Sequence, residues 1–408
     1  MTVVRGLGAL IVVIGHVALQ HPFSSSAWNG GMDDLLEPLA IAGVSGFFTL
    51  SGFVLTWTIA GQSTAARDFW RKRFARLYPV HAATWGLAFL TLLAAGVHPA
   101  LWKMLPSLLL LNVWVPNLEI FWGPNTPAWT LSAEAFFYLL FPLLLPLAWK
   151  IRERHLLRVA AGLIAITWLW AGVVYAAVPP THMLDDGTAF SRLQYFAIVV
   201  VAPVRLLDFA VGMILARIVI AGRVPSRLHF LTYASIAVGY VVARWVIPQP
   251  YGFVCALAPA VAIGMIYSAR ADLEGKKSLW PQRFLHWVGR ISFSLYMVHW
   301  PVVYGGYLLM GQPALSVPEV LLMTIVMLAV SLGLAWLLHT RIEVPAYRKL
   351  APRRQSATPA ADAAEPRKGS WRKRAARGAA SGIVASPPDG PAAGSASDEP
   401  GRPARSRA

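Results

Sequence analysis

Charged residues are scarce in this chain, and acidic residues are the scarcest. Only 13% of the 408 residues are charged, whereas 56% are apolar and 17 are tryptophan. A soluble fold of this length could not keep so many apolar side chains away from water. The shortage of charge therefore excludes an ordinary soluble protein and predicts an all-α integral membrane protein.

The few charges that are present have mostly one sign. Lys and Arg number 36 against 19 Asp and Glu, which gives a formal net charge of +17. These basic residues cluster between apolar runs and in the C-terminal tail, and they do not form a single basic face with interleaved aromatic residues. We therefore interpret them as topology signals and expect no nucleic-acid partner.

Cysteine occurs once, as Cys255 inside an apolar run, so no intramolecular disulfide can form and the redox compartment stays open. We also expect no cleavable signal peptide. The first apolar stretch contains Arg5 and has no small-residue cleavage site followed by soluble sequence. We expect this stretch to remain in the protein as its first membrane span.

Ten apolar runs approach the length of roughly 20 residues that a membrane-spanning helix needs. They lie near residues 3–20, 38–60, 80–97, 131–149, 157–178, 198–219, 229–247, 251–269, 290–310 and 318–340. A shorter apolar stretch, Met104 to Val115, is flanked by prolines and runs into Trp122-Gly-Pro-Asn-Thr-Pro127. We interpret the region near 104–127 as a re-entrant or interfacial segment.

The distribution of basic loops supports ten spans. Lys and Arg concentrate after the second, fourth, sixth and eighth runs, which lie on one side of the membrane if ten helices cross it. An eleventh span at Met104 to Val115 would move every later basic loop to the opposite side. We therefore expect both termini in the cytoplasm, in a plasma membrane of bacterial type.

The composition changes near residue 349. Residues 1–348 form the predicted membrane domain, and residues 349–408 are rich in Ala, Pro, Ser, Gly and Arg with hardly any large apolar residues. Such a segment cannot build a core, so it predicts a disordered cytoplasmic tail. Its basic clusters either lie against anionic lipid headgroups or remain solvated.

Two ionisable residues stand in the first span. Arg5 and His16 are eleven positions apart, so they lie within about 20° of the same helix face and are separated by a rise of roughly 16 Å. With a cytoplasmic N-terminus, Arg5 lies near the inner headgroups and His16 lies deep in the membrane. Buried ionisable residues are typical of functional sites, although a snorkelling Arg5 and a packed His16 explain the pair equally well.

Two further motifs contain candidate residues. Arg73 and Arg76 share a face if their segment is helical, and their planar guanidinium groups could clamp a phosphate; a membrane-interface anchor is the ordinary alternative. Glu134 lies just inside the outer end of the fourth span, at the depth estimated for His16. Its carboxylate could orient the imidazole, as in a catalytic triad, or it could simply favour the start of the helix.

Other polar residues in the spans are weaker candidates. We expect Asp208, His299 and Glu343 to pack structurally, with Arg341 as a local partner for Glu343. Ser51 could be a nucleophile, but no base is near it in sequence. The glycines around it favour close helix packing instead.

Taken together, seven segments resemble the acyltransferase-3 family of membrane O-acyltransferases in identity and order, in the stand-alone form without an extracytoplasmic hydrolase-like domain. They are Arg5-Gly-Leu-Gly-Ala-Leu to Gly15-His16, Gly46-Phe-Phe-Thr-Leu-Ser-Gly-Phe53, Arg73-Phe-Ala-Arg-Leu-Tyr-Pro79, Trp129-Thr-Leu-Ser-Ala-Glu134, Asp208-Phe-Ala-Val-Gly212, Ile291-Ser-Phe-Ser-Leu-Tyr-Met-Val-His-Trp-Pro301 and Glu343-Val-Pro345. Family members usually carry an Asp-Gly-Leu-Arg type sequence at the first arginine, whereas only Met-Thr-Val-Val precede it here. We therefore expect that the natural chain begins upstream.

The resemblance implies an enzyme that transfers an acyl group from acyl-CoA, most often acetyl-CoA, without a metal. Acceptors in the family are hydroxyls of glycans, of lipid-linked sugars or of secondary metabolites such as macrolides. The family's Arg and His on the first helix correspond to Arg5 and His16, and its paired arginines correspond to Arg73 and Arg76. The predicted site is thus His16, Glu134 and Arg5 for catalysis, and Arg73, Arg76 and Arg5 for binding acyl-CoA.

In the predicted mechanism, acyl-CoA docks from the cytoplasm with its phosphates on the arginines and its thioester toward His16. His16 then acts as general base on the acceptor hydroxyl, or carries the acyl group itself. Two other classes remain open on the sequence alone. One is a transporter or lipid flippase that uses the buried Arg, His and Glu, and the other is a membrane scaffold without catalytic activity.

Overall fold

The protein is seen here as a computed structural model that describes residues 2–60, 65–179, 191–222, 228–246, 258–273 and 282–351. Within these ranges the chain is helical and contains no β-strand. The predicted tail at 349–408 lies almost wholly outside the described residues, as does Cys255.

Helices follow one another along the described chain with short connections. They are α1 Thr2–Ala18, α2 Ser26–Ile59, α3 Ala66–Ala94, α4 Leu101–Leu108, α5 Leu118–Trp122, α6 Ala128–Lys150, α7 Leu156–Ala177, α8 Arg192–Tyr195, α9 Ala202–Ile220, α10 Leu228–Val241, α11 Ala258–Leu273, α12 Gln282–Leu309, α13 Val317–Leu338 and α14 Val344–Leu350. Each of the ten predicted spans overlaps one of the longer helices. In the described part of the chain, six helices are long and apolar enough to cross a membrane.

The segment between α3 and α6 is broken into short pieces. Helix α4 has 8 residues and α5 has 5 residues, with a 3₁₀ turn at Asn112–Trp114 between them. At 1.5 Å per residue, α4 is only about 12 Å long, far less than the roughly 30 Å of hydrocarbon in a bilayer. None of these pieces can cross a membrane by itself.

The outward faces of the helices are apolar. On α13, the side chains of Leu321, Leu322 and Ile325 are 60%, 63% and 65% exposed. Contiguous exposed leucine and isoleucine would be costly in water, whereas in a bilayer these side chains contact lipid. The surface therefore agrees with the apolar composition of the chain.

Glycine allows α2 and α9 to approach each other closely. A Cβ atom added to Gly52 would lie 2.0 Å from the carbonyl oxygen of Phe209, and one added to Gly212 would lie 1.9 Å from that of Thr49. No other residue fits at either position without separating the two backbones. The expectation that small residues near Ser51 serve helix packing is confirmed for Gly52.

A second pair of glycines allows α1 and α12 to approach each other closely in the same way. A Cβ atom on Gly6 would lie 2.6 Å from the carbonyl oxygen of Leu285, and one on Gly289 would lie 2.2 Å from that of Thr2. This contact holds the N-terminal parts of the two helices together. It places Arg5, next to Gly6, directly against α12.

A buried ion pair stabilises α9 against α2. The guanidinium of Arg205 is fully buried and donates to Asp208 at 3.0 Å and to Ser45 at 3.3 Å. A buried charge needs a partner of this kind. Asp208 is thus accounted for by packing, as expected from the sequence.

Candidate active site

A cavity with a mainly apolar lining and several charged side chains lies between five helices. It encloses about 160 Å³ and is lined by residues of α1, α2, α3, α6 and α12. Arg5, Arg73, Arg76 and Glu134 all line it, although they are far apart in sequence. Three guanidinium groups therefore meet one carboxylate, and the lining has an excess of positive charge.

Arg5 is held in place by α12. Its Nη2 donates to Oγ of Ser292 at 3.0 Å, and Oγ of Ser292 donates in turn to the carbonyl oxygen of Gly289 at 3.0 Å. Gly289 is also the residue that lets α1 approach α12. The position of Arg5 is thus fixed by the same helix contact that brings it to the cavity.

Arg73 and Arg76 differ in their partners. The Arg73 guanidinium lies over the rings of Phe69 and Tyr138, 5.4 Å and 6.0 Å from their centroids, and its buried Nε has no hydrogen-bond partner. Nε of Arg76 lies 3.5 Å from Oε1 of Glu343. Arg73 therefore has donor capacity to spare, whereas Arg76 is already neutralised by a carboxylate.

Glu343 is the anchor of Arg76. Its Oε2 accepts hydrogen bonds from Oγ of Ser294 at 2.8 Å and from Nδ1 of His339 at 2.9 Å. The sequence suggested Arg341 as its partner, which is wrong. The stretch His339–Glu343 is a π-helical turn, and this turn directs Glu343 inward toward α3, where Arg76 lies.

Glu134 lies in the cavity with hydroxyl groups around it. Its carboxylate interacts with the hydroxyls of Ser51 and Tyr138 and with the positive charges of Arg5 and Arg73. Oγ of Ser51 lies 3.0 Å from the Tyr138 hydroxyl. A carboxylate is thus close to Ser51 after all, supplied by a helix that is distant in sequence.

His16 lies outside this cavity. It is seven residues beyond Ala9, the last residue of α1 in the lining, or roughly 10 Å further along the helix. Its Nδ1 is 2.8 Å from the carbonyl oxygen of Val12, and its ring lies 5.0 Å from that of His299 and 5.4 Å from that of Trp300. Arg5 and His16 both contact α12, in agreement with their predicted shared face.

The expected contact between His16 and Glu134 does not occur. Glu134 faces Ser51, Tyr138 and Arg5, whereas the imidazole of His16 is bonded to its own helix. The tautomer of His16 is set instead by the carbonyl of Val12, which accepts from Nδ1–H and leaves Nε2 as the basic nitrogen. The expectation rested on the depth estimated for each residue, and the neighbours of each helix could not be estimated in the same way.

Tyr296 contacts both the cavity and His299, the ring neighbour of His16. It lines the cavity, its hydroxyl lies 3.0 Å from Oγ1 of Thr130, and its ring centroid lies 5.7 Å from that of His299. Sequence reasoning did not single out Tyr296 or Tyr138. In the sequence, Tyr296 lies near His299 among several polar residues of an otherwise apolar run, and this pattern could have marked it as a candidate.

The chemistry available at this site is that of cations, hydroxyls and imidazoles. Within the residues that the structure describes, no three His, Cys, Asp or Glu side chains gather as metal ligands. The excess of guanidinium suits an anionic ligand, since arginine binds phosphate oxygens in a bidentate manner.

Comparison with known proteins decides the class. The model of a family described as an acyltransferase domain matches residues 1–338. The chain belongs to the acyltransferase-3 family. It is therefore an enzyme of the acyl-transferring class and a membrane protein.

Relatives of this acyltransferase carry related names. It is 35% identical to acyltransferase MdmB of Streptomyces mycarofaciens over 379 residues, which covers 89% of this chain and 96% of the relative. It is 26% identical to peptidoglycan O-acetyltransferase OatA of Listeria monocytogenes, over 74% of this chain and 49% of the relative. It is 27% identical to exopolysaccharide production protein ExoZ of Rhizobium meliloti, over 64% of this chain and 76% of the relative. No solved structure matches the acyltransferase chain.

Proposed function

We propose that this acyltransferase moves a short acyl group, with acetyl as the first choice, from cytoplasmic acyl-CoA to an acceptor hydroxyl. The observation that carries the proposal is the cavity in which Arg5, Arg73 and Arg76 converge against a single carboxylate. Coenzyme A is rich in phosphate, and guanidinium groups are the side chains best suited to bind it.

The donor enters from the cytoplasm in this proposal. Arg73 and Arg76 lie near the start of α3, beside the basic residues Arg71 and Lys72, which the positive-inside rule assigns to the cytoplasmic side. Ten membrane crossings with both termini inside belong to the same proposal. The cavity mouth then faces the compartment that holds acyl-CoA.

His16 is the proposed general base. Because Nδ1–H is engaged by Val12, the free Nε2 can accept the proton of the acceptor hydroxyl. The hydroxyl oxygen then bonds to the thioester carbonyl carbon, the carbon–sulfur bond breaks, and the proton passes from His16 to the leaving thiolate. In the alternative relay, Nε2 of His16 first takes the acyl group and then delivers it to the hydroxyl.

The acyl group has to pass Tyr296 to reach His16. The pantetheine arm would extend from the arginines along the cavity toward Tyr296 and Met297. These two residues closely precede His299 on α12. Rotation of the Tyr296 side chain away from Thr130 would open this passage. Donor binding and acyl transfer thus occur at two adjacent places in this proposal.

The acceptor is proposed from the names of the relatives and from the family resemblance. The names of OatA and ExoZ refer to peptidoglycan and to an exopolysaccharide. A sugar hydroxyl of a glycan or of a lipid-linked sugar is one proposed acceptor class, and a secondary metabolite such as a macrolide is the other.

The decisive experiment compares wild type with His16→Ala in nanodiscs, with release of free thiol from acetyl-CoA as the measurement. His81→Ala is the matched control, because His81 is also a buried histidine but contacts the carbonyls of Ser107 and Leu108, away from His16. We expect thiol release from wild type and His81→Ala and none from His16→Ala. Full release from His16→Ala, or the absence of both release and CoA binding in folded wild type, would refute the proposal.

A further inference from the structure

His299 is a buried polar group with an unfilled bonding site. Its ring is 0% exposed, and Nδ1 lies 2.7 Å from the carbonyl oxygen of Tyr296. That carbonyl fixes the proton on Nδ1 and leaves Nε2 as an acceptor. Nε2 is fully enclosed and has no hydrogen-bond partner.

An orphaned acceptor of this kind destabilises the resting protein, because burial removes water without supplying a replacement donor. Such a cost is commonly found where the group is needed in another state of the protein. The neighbour that can change state is His16, whose ring centroid lies 5.0 Å away. At this separation in a buried site, a charge on one ring interacts strongly with the dipole of the other.

The two imidazoles are held in the same tautomer. Each has Nδ1 against a carbonyl oxygen of its own helix, that of Val12 for His16 and that of Tyr296 for His299. Each therefore presents a bare Nε2. While both rings are neutral, neither can donate to the other through Nε2.

Three buried or partly buried carboxylates of the described helices each interact with residues other than His16. Glu134 interacts with Ser51 and Tyr138, Glu343 with Arg76 and His339, and Asp208 with Arg205. Among the side chains that the structure describes, no carboxylate contacts His16. The acidic partner that usually stabilises a catalytic imidazolium is therefore missing from the described surroundings of this histidine.

We propose that His299 is a positioning residue that stabilises His16 in its protonated form, where no described carboxylate does so. The inference rests on the proposed role of His16 as general base. When His16 removes the proton from the acceptor hydroxyl, its ring becomes cationic, with Nδ1–H on the carbonyl of Val12 and Nε2–H toward the reacting groups. The lone pair on Nε2 of the neighbouring His299 then stabilises this positive charge through space. The proton then passes to the leaving thiolate, and His16 returns to its neutral form.

This arrangement stabilises the transition state, in which His16 becomes positively charged, and does not stabilise the resting state. In the resting state the lone pair of His299 has nothing to bind, so the pair adds nothing to the binding of the donor. In the transition state the same lone pair lies near a cationic ring in a buried site, where such an interaction is strong. His299 should therefore affect kcat and leave the KM for acyl-CoA unchanged.

The test uses His299→Phe, which keeps a flat ring without an acceptor, and His299→Gln, which keeps an acceptor oxygen. His81→Phe is the matched control for replacing a buried histidine. The rate of thiol release from acetyl-CoA, which gives kcat and KM, and the equilibrium binding of CoA are measured for each protein. We expect His299→Phe to lower kcat about 10- to 100-fold with unchanged CoA binding, and His299→Gln and His81→Phe to retain most of the activity.

A double variant separates positioning from structural support. If His299 acts through His16, adding His299→Phe to His16→Ala should cause no further loss in the slow residual rate. A further loss would mean that His299 supports the fold, and the inference would be overturned. Wild-type kcat in His299→Phe, or equal loss in the Phe and Gln variants, would also overturn it. None of these results resembles failure of the proposed function, in which wild type itself releases no thiol.

Discussion

At the scale of single residues, the two arginines of α3 have unequal roles. Arg76 is paired with Glu343, whereas Nε of Arg73 is buried without a hydrogen-bond partner and its guanidinium lies over the rings of Phe69 and Tyr138. A charged group that is desolvated but not satisfied gains most from an arriving anion. Arg73 is therefore the residue whose loss should weaken donor binding most.

We expect Arg73→Gln to weaken CoA binding by about 10- to 100-fold, since a hydrogen bond to a charged group contributes about 1.5–3 kcal/mol. Equilibrium binding of CoA in nanodiscs measures the effect. Arg67→Gln, at an exposed position of the same helix, removes an equal charge and should change binding little. Equal weakening by both substitutions would show that only the overall charge of α3 matters.

The neighbours of the Ser51 side chain could not be predicted from the sequence around it. The sequence offered no base near it, and helix packing was the favoured explanation. The glycine contact at Gly52 confirms the packing, yet the fold also places Glu134 and Tyr138 beside the hydroxyl. Residues 83 positions apart cannot be paired by inspection of a single sequence, because pairing depends on which helices become neighbours.

At the scale of helices, the position of Arg5 depends on the crossing of α1 and α12. Gly6 and Gly289 let the backbones meet, and Ser292 then binds the guanidinium. A methyl group at Gly6 would strike the carbonyl of Leu285. The helix must move away, and Arg5 moves with it.

We expect Gly6→Ala to weaken CoA binding and to lower thermal stability. Gly15→Ala is the matched control on the same helix, because nothing lies within 4 Å of the added Cβ. That substitution should be neutral or stabilise the helix by up to about 1 kcal/mol. Thermal unfolding and CoA binding of both variants in nanodiscs check the prediction, and a harmless Gly6→Ala would argue against the tight crossing.

Helix positions were largely predictable from the sequence, whereas helix neighbours were not. Apolar runs predicted where the long helices lie, and the spacing of Arg5 and His16 correctly indicated a common face. The pairing of His16 with Glu134 was not found, because depth was estimated from each helix separately. Helix α6 packs mainly against α9 and α3, so Glu134 reaches the cavity and not the outer part of α1.

At the scale of the whole molecule, ten crossings remain a prediction that labelling can test. Arg154 precedes α7 and Gln312 follows α12, and both lie in exposed connections. With ten spans, Arg154 is cytoplasmic and Gln312 is outside.

In a Cys255→Ser background, we expect Gln312→Cys to react with a membrane-impermeant maleimide in intact cells. Arg154→Cys should react only in inverted vesicles or after permeabilisation. Thiol release from acetyl-CoA confirms that each variant is folded. Labelling of Arg154→Cys from outside would mean that the segment between α3 and α6 crosses the membrane and that the later loops are inverted.

Tyr296, which contacts both the arginine-lined cavity and His299, also matters for the proton permeability of the membrane. In the proposed ten-span arrangement, a water-filled passage from the cytoplasm to the imidazole pair would conduct protons down the membrane potential. Tyr296, with its hydroxyl 3.0 Å from Oγ1 of Thr130 and its ring near that of His299, lies where it would interrupt such a passage. We expect the side chain that the proposed donor displaces to act also as an electrical seal, so that acyl transfer would not dissipate the membrane potential.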